Sequence, residues 1–156
     1  MQLTADDIIG ALKMKAHHEG GYYAFCWKSA RNIPKAYLPP VYPSDRKAAS
    51  LIYYLLKAGQ TSCWHKLLSD EYWLWHCGGT LEMTLGGDGR QPEPNESILI
   101  GPGLAKGERF QALAPEGHWQ TTQVKEGDFA LVSCIVSPGY EPEDFSLPPA
   151  SFQIGG

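Results

Sequence analysis

The sequence predicts a mainly β protein, in which one short N-terminal helix precedes an antiparallel β-sandwich or barrel. After residue 50, apolar and polar residues alternate with a period of two, which is typical of half-buried strands. Glycine-rich turn signals separate these segments at short and even intervals. A chain of 156 residues with 43% hydrophobic content can bury one core, so we expect a single domain over residues 1–156.

The N-terminal helix is predicted over about residues 4–17. Thr4 can cap its first turn, and Asp7 stands three residues later, where a capping-box partner is expected. Four apolar residues then recur on one helical face: Ile8, Ile9, Leu12 and Ala16. The Gly20-Gly21 pair ends this pattern, and we expect the helix to pack outside the main sheet.

The strands are predicted to form a barrel over about residues 48–140. Their expected positions are 50–56, 61–67, 71–77, 80–85, 97–100, 108–114, 118–124 and 128–136. Turns are predicted at residues 57–59, 77–79, 86–89, 115–117 and 125–128. The connection 33–47 is rich in proline and tyrosine, and ordered loops of this length are often functional lids.

Composition excludes several classes of partner. A net charge of −4 without a run of Lys or Arg does not provide the positive surface that a phosphate backbone requires, so nucleic acid is not expected. The apolar stretch 51–56 is far shorter than the roughly 20 residues that cross a bilayer, so no membrane association is expected. Four cysteines without CxxC spacing, Cys26, Cys63, Cys77 and Cys134, indicate reduced thiols and a soluble, cytoplasmic protein.

A histidine and a carboxylate are predicted to meet on adjoining strands. Alternation places Cys63, His65 and Leu67 on one face of the strand 61–67. Glu71 begins the next strand, and Trp73 and Trp75 follow on the same face as Glu71. An imidazole beside a carboxylate, walled by aromatic rings, is what a metal site or an acid–base pair requires.

The spacing around these residues resembles the first metal-binding motif of the cupin superfamily. Gly59, His65, Glu71 and Gly78 match it, and Leu67 stands where the second histidine is expected. Further strings resemble the cupin-5 branch, a domain of unknown function with an epimerase-like jelly roll: residues 17–23, 52–56, 62–65, 70–73 and 137–145. The resemblance implies a cupin jelly-roll β-barrel and a homodimer, which would also cover exposed sheet edges.

The same resemblance implies a weakened metal site. Pro115 and Gly117 reproduce the turn of the second cupin motif, which places Gln120 at the position of the third histidine ligand. The implied ligands His65, Glu71 and Gln120 include one imidazole, and an amide oxygen is a poor donor for Zn or Fe. We therefore expect no cofactor. A divalent Mn, Fe, Ni or Zn ion, with Cys63 as a substitute donor, remains the alternative.

Three functions remain open. The first is a metal-independent isomerase or epimerase acting on a carbohydrate-like or other polar small molecule, with His65 and Glu71 as catalytic residues. In it the carboxylate orients the imidazole as a general base. Resemblance to the epimerases implies a tyrosine acid, either Tyr54 or Tyr140. The second is a non-catalytic ligand-binding cupin, and the third is a metal-dependent lyase or dioxygenase.

Candidate ligand-binding residues are Trp73, Trp75, Gln120, His17 and Glu19. Each has a structural alternative. Aromatic side chains in small β folds often fill the core, and His65 with Glu71 can form a buried hydrogen-bonded pair without further function. Histidine and glycine at residues 17–21 also suit the C-terminal end of a helix.

Overall fold

In a computed structural model, which describes residues 3–153, the chain forms an antiparallel jelly-roll β-barrel with one short helix. The helix α1 spans Ala5–Ala11. The strands are β1 Lys15–Ala16, β2 Tyr22–Lys28, β3 Asn32–Ile33, β4 Arg46–Lys47, β5 Ser50–Lys57, β6 Thr61–His65, β7 Asp70–Leu85, β8 Glu96–Ile100, β9 Gln111–Ala114 and β10 Gln120–Ser137. Single 3-10 turns lie at Lys35–Tyr37, Leu104–Lys106 and Pro142–Asp144.

The helix begins as predicted but ends earlier. The Thr4 hydroxyl accepts a hydrogen bond from the Asp7 backbone N–H at 3.2 Å, and the Asp7 carboxylate accepts one from the Thr4 N–H at 2.9 Å. The predicted extension to residue 17 was wrong, because Lys13 adopts a positive φ of 51° and the chain then turns into β1. Apolar side chains attach the helix to the outside of the sheet: Ile8 and Met14 pack with Leu55 and Leu131.

The longest strands, β7 and β10, organise the barrel. The sheet order is β1-β2-β5-β10-β7-β8, while β6 also pairs with β10 and β9 also pairs with β7. The inward side chains of these strands form the main core, whose largest members are Tyr54, Trp73, Leu81, Met83 and Ile100. The barrel therefore gathers side chains from β5, β6, β7 and β10 around one interior.

Two predicted turns are bulges within continuous strands. Residues 71–77 and 80–85 form one strand, β7, and residues 118–124 and 128–136 fall largely in one strand, β10. Register shifts along the β7–β10 ladder accommodate the glycines at 78, 79 and 127. A Cβ at Gly79 would lie 1.8 Å from the Glu126 carbonyl oxygen, so glycine is needed because two backbones approach closely there.

A buried ion pair fixes the connection 33–47. The Arg46 side chain is 1% exposed and donates through Nε to the Asp144 carboxylate at 3.0 Å. Tyr42 lies in the same connection and donates its hydroxyl to the Leu68 carbonyl at 2.9 Å. The connection is therefore ordered, and it holds the 3-10 turn Pro142–Asp144, which precedes Phe145.

None of the helices described within residues 3–153 is long and apolar enough to cross a membrane.

Candidate acid–base site in the barrel

A cavity of about 260 Å³ opens among β2, β5, β6, β7, β10 and the segment that follows β10. Four of the residues predicted as site residues line it: His17, Glu19, His65 and Glu71. The others, Trp73, Trp75 and Gln120, do not line it. The structure therefore brings two histidines and two carboxyl groups from three separate parts of the chain to the same cavity.

His65 is held in one tautomer by the backbone. Its side chain is buried, and Nδ1 lies 2.7 Å from the Cys63 carbonyl oxygen. A carbonyl oxygen can only accept, so Nδ1 carries the proton and Nε2 is left with its lone pair. Nε2 faces the Glu19 carboxyl group, with Oε2 at 3.3 Å. The Phe145 ring stacks on the imidazole at a centroid distance of 5.2 Å and closes its other side.

Two glycines place Glu19 against His65. Gly20 has a φ of 107°, and a Cβ there would lie 2.1 Å from the Thr61 carbonyl oxygen. The Glu19 carbonyl accepts a hydrogen bond from the Cys63 backbone N–H at 2.7 Å, and the Tyr54 hydroxyl donates to the Gly20 carbonyl. Because only glycine allows this close approach with a positive φ, the Gly20-Gly21 pair lets the segment lie flat on β6.

Burial makes Glu19 and His65 a neutral pair. Removal from water raises the pKa of Glu19 to about 8, although the nearby Ser62 hydroxyl, which lies outside hydrogen-bonding geometry, lowers it. Removal from water also lowers the pKa of His65, against the opposing effects of Glu71 and the Cys63 carbonyl. At neutral pH the carboxylic acid of Glu19 therefore holds the proton and donates it in a hydrogen bond to the free Nε2 of His65.

Glu71 contacts Gln120 instead of His65. Gln120 is buried and donates through Nε2 to Glu71 Oε2 at 2.8 Å. Burial and the nearby Glu19 raise the pKa of Glu71 to about 7, and His65 lowers it. The indole N–H of Trp73 also lowers this pKa, although it lies outside hydrogen-bonding geometry. The prediction that Glu71 orients His65 was wrong, because Glu19 and Cys63 occupy the two ring nitrogens.

The tryptophans proposed as pocket walls belong to the core. Trp73 is 1% exposed and packs edge-on against Tyr54, at a centroid distance of 5.4 Å. Trp75 is only partly buried. It stacks with Phe110 and donates through its indole N–H to the Gly79 carbonyl at 3.0 Å. Trp75 keeps the face of Glu71 and Trp73, because no register shift separates these three residues, but it lies farther along β7 than the cavity, which Glu71 lines.

A bulge in β6 replaces Cys63 with Ser62 on the inner face. His65 pairs with Gln120 and Ser62 pairs with Thr122, so β6 contains one more residue than β10 between these pairs. Ser62 is consequently buried beside Glu19, whereas Cys63 lines a separate groove under the C-terminal segment. The predicted substitute donor Cys63 therefore does not reach the cavity through its thiol.

The two candidate tyrosine acids differ in position. Tyr54 does not line the cavity, and its hydroxyl is occupied by the Gly20 carbonyl. Tyr140 lines the cavity, and burial and the nearby Glu19 raise its pKa to about 12. Tyr140 is therefore a protonated hydroxyl on the cavity wall at neutral pH, and the geometry favours it as the acid.

The residues at the metal positions of the cupin motif do not fit a transition metal. Leu67 offers no donor, and the amide of Gln120 directs its N–H toward Glu71. Another group, His17, His18 and Glu19, has ligand atoms within 4.8 Å of one another. However, the rings of His17 and His18 are stacked at 4.4 Å, and His17 Nδ1 accepts the Glu19 backbone N–H at 3.2 Å. The lone pair of His17 Nδ1 is therefore already engaged in a hydrogen bond.

Phe145 and Lys28 were not predicted as site residues. Phe145 covers His65, and Lys28 forms an ion pair with Glu141, which also lines the cavity, at 2.7 Å. The string 137–145 resembles the cupin-5 branch and contains Phe145, and this resemblance is the signal that could have identified the residue. Nothing in the local pattern signals Lys28, because its partner lies 113 residues away.

Comparison with known proteins agrees with this architecture. The family model described as Cupin superfamily (DUF985) matches residues 6–148. A hypothetical protein from Leishmania major is 31% identical, with a TM-score of 0.81 over 93% of this chain and 87% of that one. A Shewanella oneidensis protein is 35% identical, with a TM-score of 0.79 over 94% and 85%. A search of curated proteins found no match.

A more distant structure shows the fold alone. A cupin 2 conserved barrel domain protein from Rhodopseudomonas palustris is 13% identical, with a TM-score of 0.54 over 87% of this chain and 73% of that one. Its barrel and the family match together define the class, a cupin fold of the kind that binds small molecules. This chain belongs to the family described as Cupin superfamily (DUF985).

Proposed function

We propose that this protein is a metal-independent isomerase or epimerase that moves a proton on a carbohydrate-like or other polar small molecule. The observation that carries the proposal is the 3.3 Å contact between His65 Nε2 and Glu19 Oε2 inside a cavity. An imidazole tautomer fixed by the backbone and a carboxyl group whose pKa is raised to about 8, near neutral pH, suit general acid–base catalysis.

The proposed step removes a proton from a carbon acid with the His65–Glu19 pair. Glu19 transfers its proton to Nε2 of His65, and the carboxylate so formed accepts the proton from the substrate carbon and stabilises the imidazolium. Tyr140 can return a proton from another part of the cavity wall. Glu71 forms no hydrogen bond with His65, and its charge acts on His65 electrostatically by raising the pKa of the imidazole.

Measurement of solvent exchange tests this proposal. The protein is incubated in D₂O with a panel of aldoses, ketoses and small α-hydroxy ketones, and NMR follows the loss of each C–H signal. We expect exchange for at least one compound, and its loss in His65→Gln and Glu19→Gln. His76→Gln is the control, because His76 is exposed and bonds Ser133. Ligand-dependent thermal stabilisation without exchange would instead establish the non-catalytic binding function.

We also propose a homodimer and a cytoplasmic location. Residues 24–28 of β2 pair on one side with β5, and within residues 3–153 no strand covers their other edge. Phe25 and Trp27 lie on this strand and are 65% and 50% exposed. Unpaired edges with exposed aromatic residues favour pairing with a second copy. The four cysteines are unpaired in the structure, which suits a reducing compartment.

A further inference from the structure

The charges around the cavity are unbalanced. Its ionisable lining residues are His17, Glu19, Tyr23, Lys28, His65, Glu71, Cys134, Tyr140 and Glu141. Lys28 is the one lysine or arginine among these lining residues, and the carboxylate of Glu141 neutralises it at 2.7 Å. Both members of that pair are about one-third exposed, so it lies toward solvent. The inner part of the cavity therefore holds two carboxyl groups and uncharged imidazoles.

Glu71 has a free oxygen on this cavity. The residue is 7% exposed, and its Oε2 accepts from Gln120 at 2.8 Å. Within residues 3–153, Oε1 has no hydrogen-bond partner. A buried carboxyl group without a counter-charge is unfavourable when ionised, so a cation in the cavity would be favoured by both Glu71 and Glu19.

The remaining wall is apolar and aromatic. It is formed by Tyr23, Phe25, Ile52, Leu67, Val136 and Phe145. Such a wall suits hydrocarbon surface, and the faces of its aromatic rings attract organic cations. The two carboxyl groups and this wall together select a ligand with a cationic end and an apolar body.

We propose that the cavity binds a small organic amine in its protonated form. The ammonium group donates to Glu71 and Glu19, and the apolar body packs between Phe145 and the β2 side chains. This inference concerns the ligand class of the same site and rests on the proposed function only in that both use the cavity. A protonated amine has three donors, and these match the free Glu71 oxygen and the carboxyl group beside His65.

A charge series on one molecular frame tests the inference. Benzylamine, benzyl alcohol and benzoate share a ring of the same size and carry charges of +1, 0 and −1 at pH 7.5. Isothermal titration calorimetry measures each affinity with the full chain. We expect benzylamine to bind at least about tenfold more tightly than benzyl alcohol, as one charge-assisted hydrogen bond provides, and benzoate to bind more weakly still.

Two variants separate charge from shape. Glu71→Gln should reduce the preference for benzylamine over benzyl alcohol to about twofold or less, and Glu19→Gln serves as a second variant if the first does not fold. Glu93→Gln is the matched control, because Glu93 is exposed and does not line the cavity. It should retain the wild-type preference.

Three results would overturn the inference. These are equal or tighter binding of benzyl alcohol or benzoate, an unchanged preference in both cavity variants, and no binding of any probe. None of them depends on the exchange experiment. Proton exchange with an uncharged sugar, together with weak benzylamine binding, would reject the amine as ligand and support the isomerase function. Tight benzylamine binding without exchange would support the amine as ligand and reject the isomerase function.

Discussion

Two buried carboxyl groups should make this protein less stable as the pH rises from 6.5 to 8. Burial raises the pKa of Glu19 to about 8 and of Glu71 to about 7, from ordinary values near 4.5. The folded protein therefore binds protons at these sites more tightly than the unfolded chain does. Stability is greatest below the unfolded pKa and is lost as the pH rises toward the folded pKa.

Buried histidines act in the opposite direction at lower pH. Burial, with smaller effects from His18 and His65, lowers the pKa of His17 to about 4, and burial also lowers the pKa of His65. The unfolded chain binds protons at these sites more tightly, so stability rises with pH up to the ordinary value of 6.5. Above pH 6.5 the histidines still oppose the carboxyl groups, because an unfolded imidazole is half protonated at that pH, and each buried histidine adds about 0.4 kcal/mol of stability between pH 6.5 and 8.

The magnitude follows from 1.36 kcal/mol for each pKa unit. Glu19 remains protonated in the folded state over most of the interval and contributes about 2 kcal/mol, while Glu71 titrates near its lower end and contributes less than about 1 kcal/mol. After the opposing contribution of His17 and His65, urea unfolding at pH 6.5 and pH 8.0 should show a net loss of roughly 1 to 2 kcal/mol in the free energy of unfolding. Glu19→Gln should remove most or all of that loss, and Glu93→Gln should not change it. Equal wild-type stability at the two pH values, or an undiminished loss in Glu19→Gln, would refute the assigned pKa shifts.

Three further predictions concern the fold and its partners. Arg46→Met leaves the buried Asp144 carboxylate unpaired and should lower the free energy of unfolding by about 3 kcal/mol. Lys28→Met breaks an ion pair that is about one-third exposed and should lower it by about 1 kcal/mol or less. Similar losses in the two variants would contradict the burial of Arg46. Leu67→His places an imidazole on the cavity wall beside His65, so titration calorimetry should detect binding of Zn or Mn. The control Leu147→His, at an exposed position, should bind neither metal. No gain in metal affinity in Leu67→His would show that side chain 67 does not converge with His65. Analytical ultracentrifugation should give a molecular mass of about twice 17.2 kDa. The double variant Phe25→Ser and Trp27→Ser should shift the protein toward the monomer, because it removes two exposed aromatic side chains from β2. A monomeric mass for the wild-type protein would reject the dimer.

Local patterns predicted the fold well because its elements rest on local chemistry. The capping box of Thr4 and Asp7 requires only four residues, and the strands around 50–56 and 61–65 follow from alternation. The turn predictions at 77–79 and 125–128 failed for a reason that lies outside each segment. Gly79 and Gly127 face each other across the β7–β10 ladder, and the two backbones approach so closely that neither position has room for a side chain. A glycine that serves a bulge is indistinguishable in sequence from one that serves a turn.

The sequence named four residues that line the cavity, but it paired two of them differently from the structure. His65, Glu71, His17 and Glu19 all line the cavity, yet the sequence paired His65 with Glu71 because they are six residues apart on adjoining strands. The β6 bulge adds one residue between Ser62 and His65. Bulges depend on the register of two strands that are distant in sequence, and here β6 pairs with β10, more than fifty residues later.

The loss of metal ligands and the presence of Glu19 are chemically connected. In a site with three imidazoles, a metal would take the lone pair of Nε2. In this chain Leu67 and Gln120 remove two donors, and the segment ending at Gly20-Gly21 supplies a carboxylic acid at 3.3 Å from that same nitrogen. A proton on Glu19 thus occupies the position that a cation would otherwise take, and it needs no further ligands because one acid and one base satisfy each other. The residue before the glycine pair is therefore the one whose replacement should separate proton chemistry from metal chemistry. Glu19→Gln retains the shape and the hydrogen-bonding reach of the side chain but removes the transferable proton, so it should abolish exchange while leaving the barrel folded. Full exchange activity in Glu19→Gln would show that His65 works with a different partner.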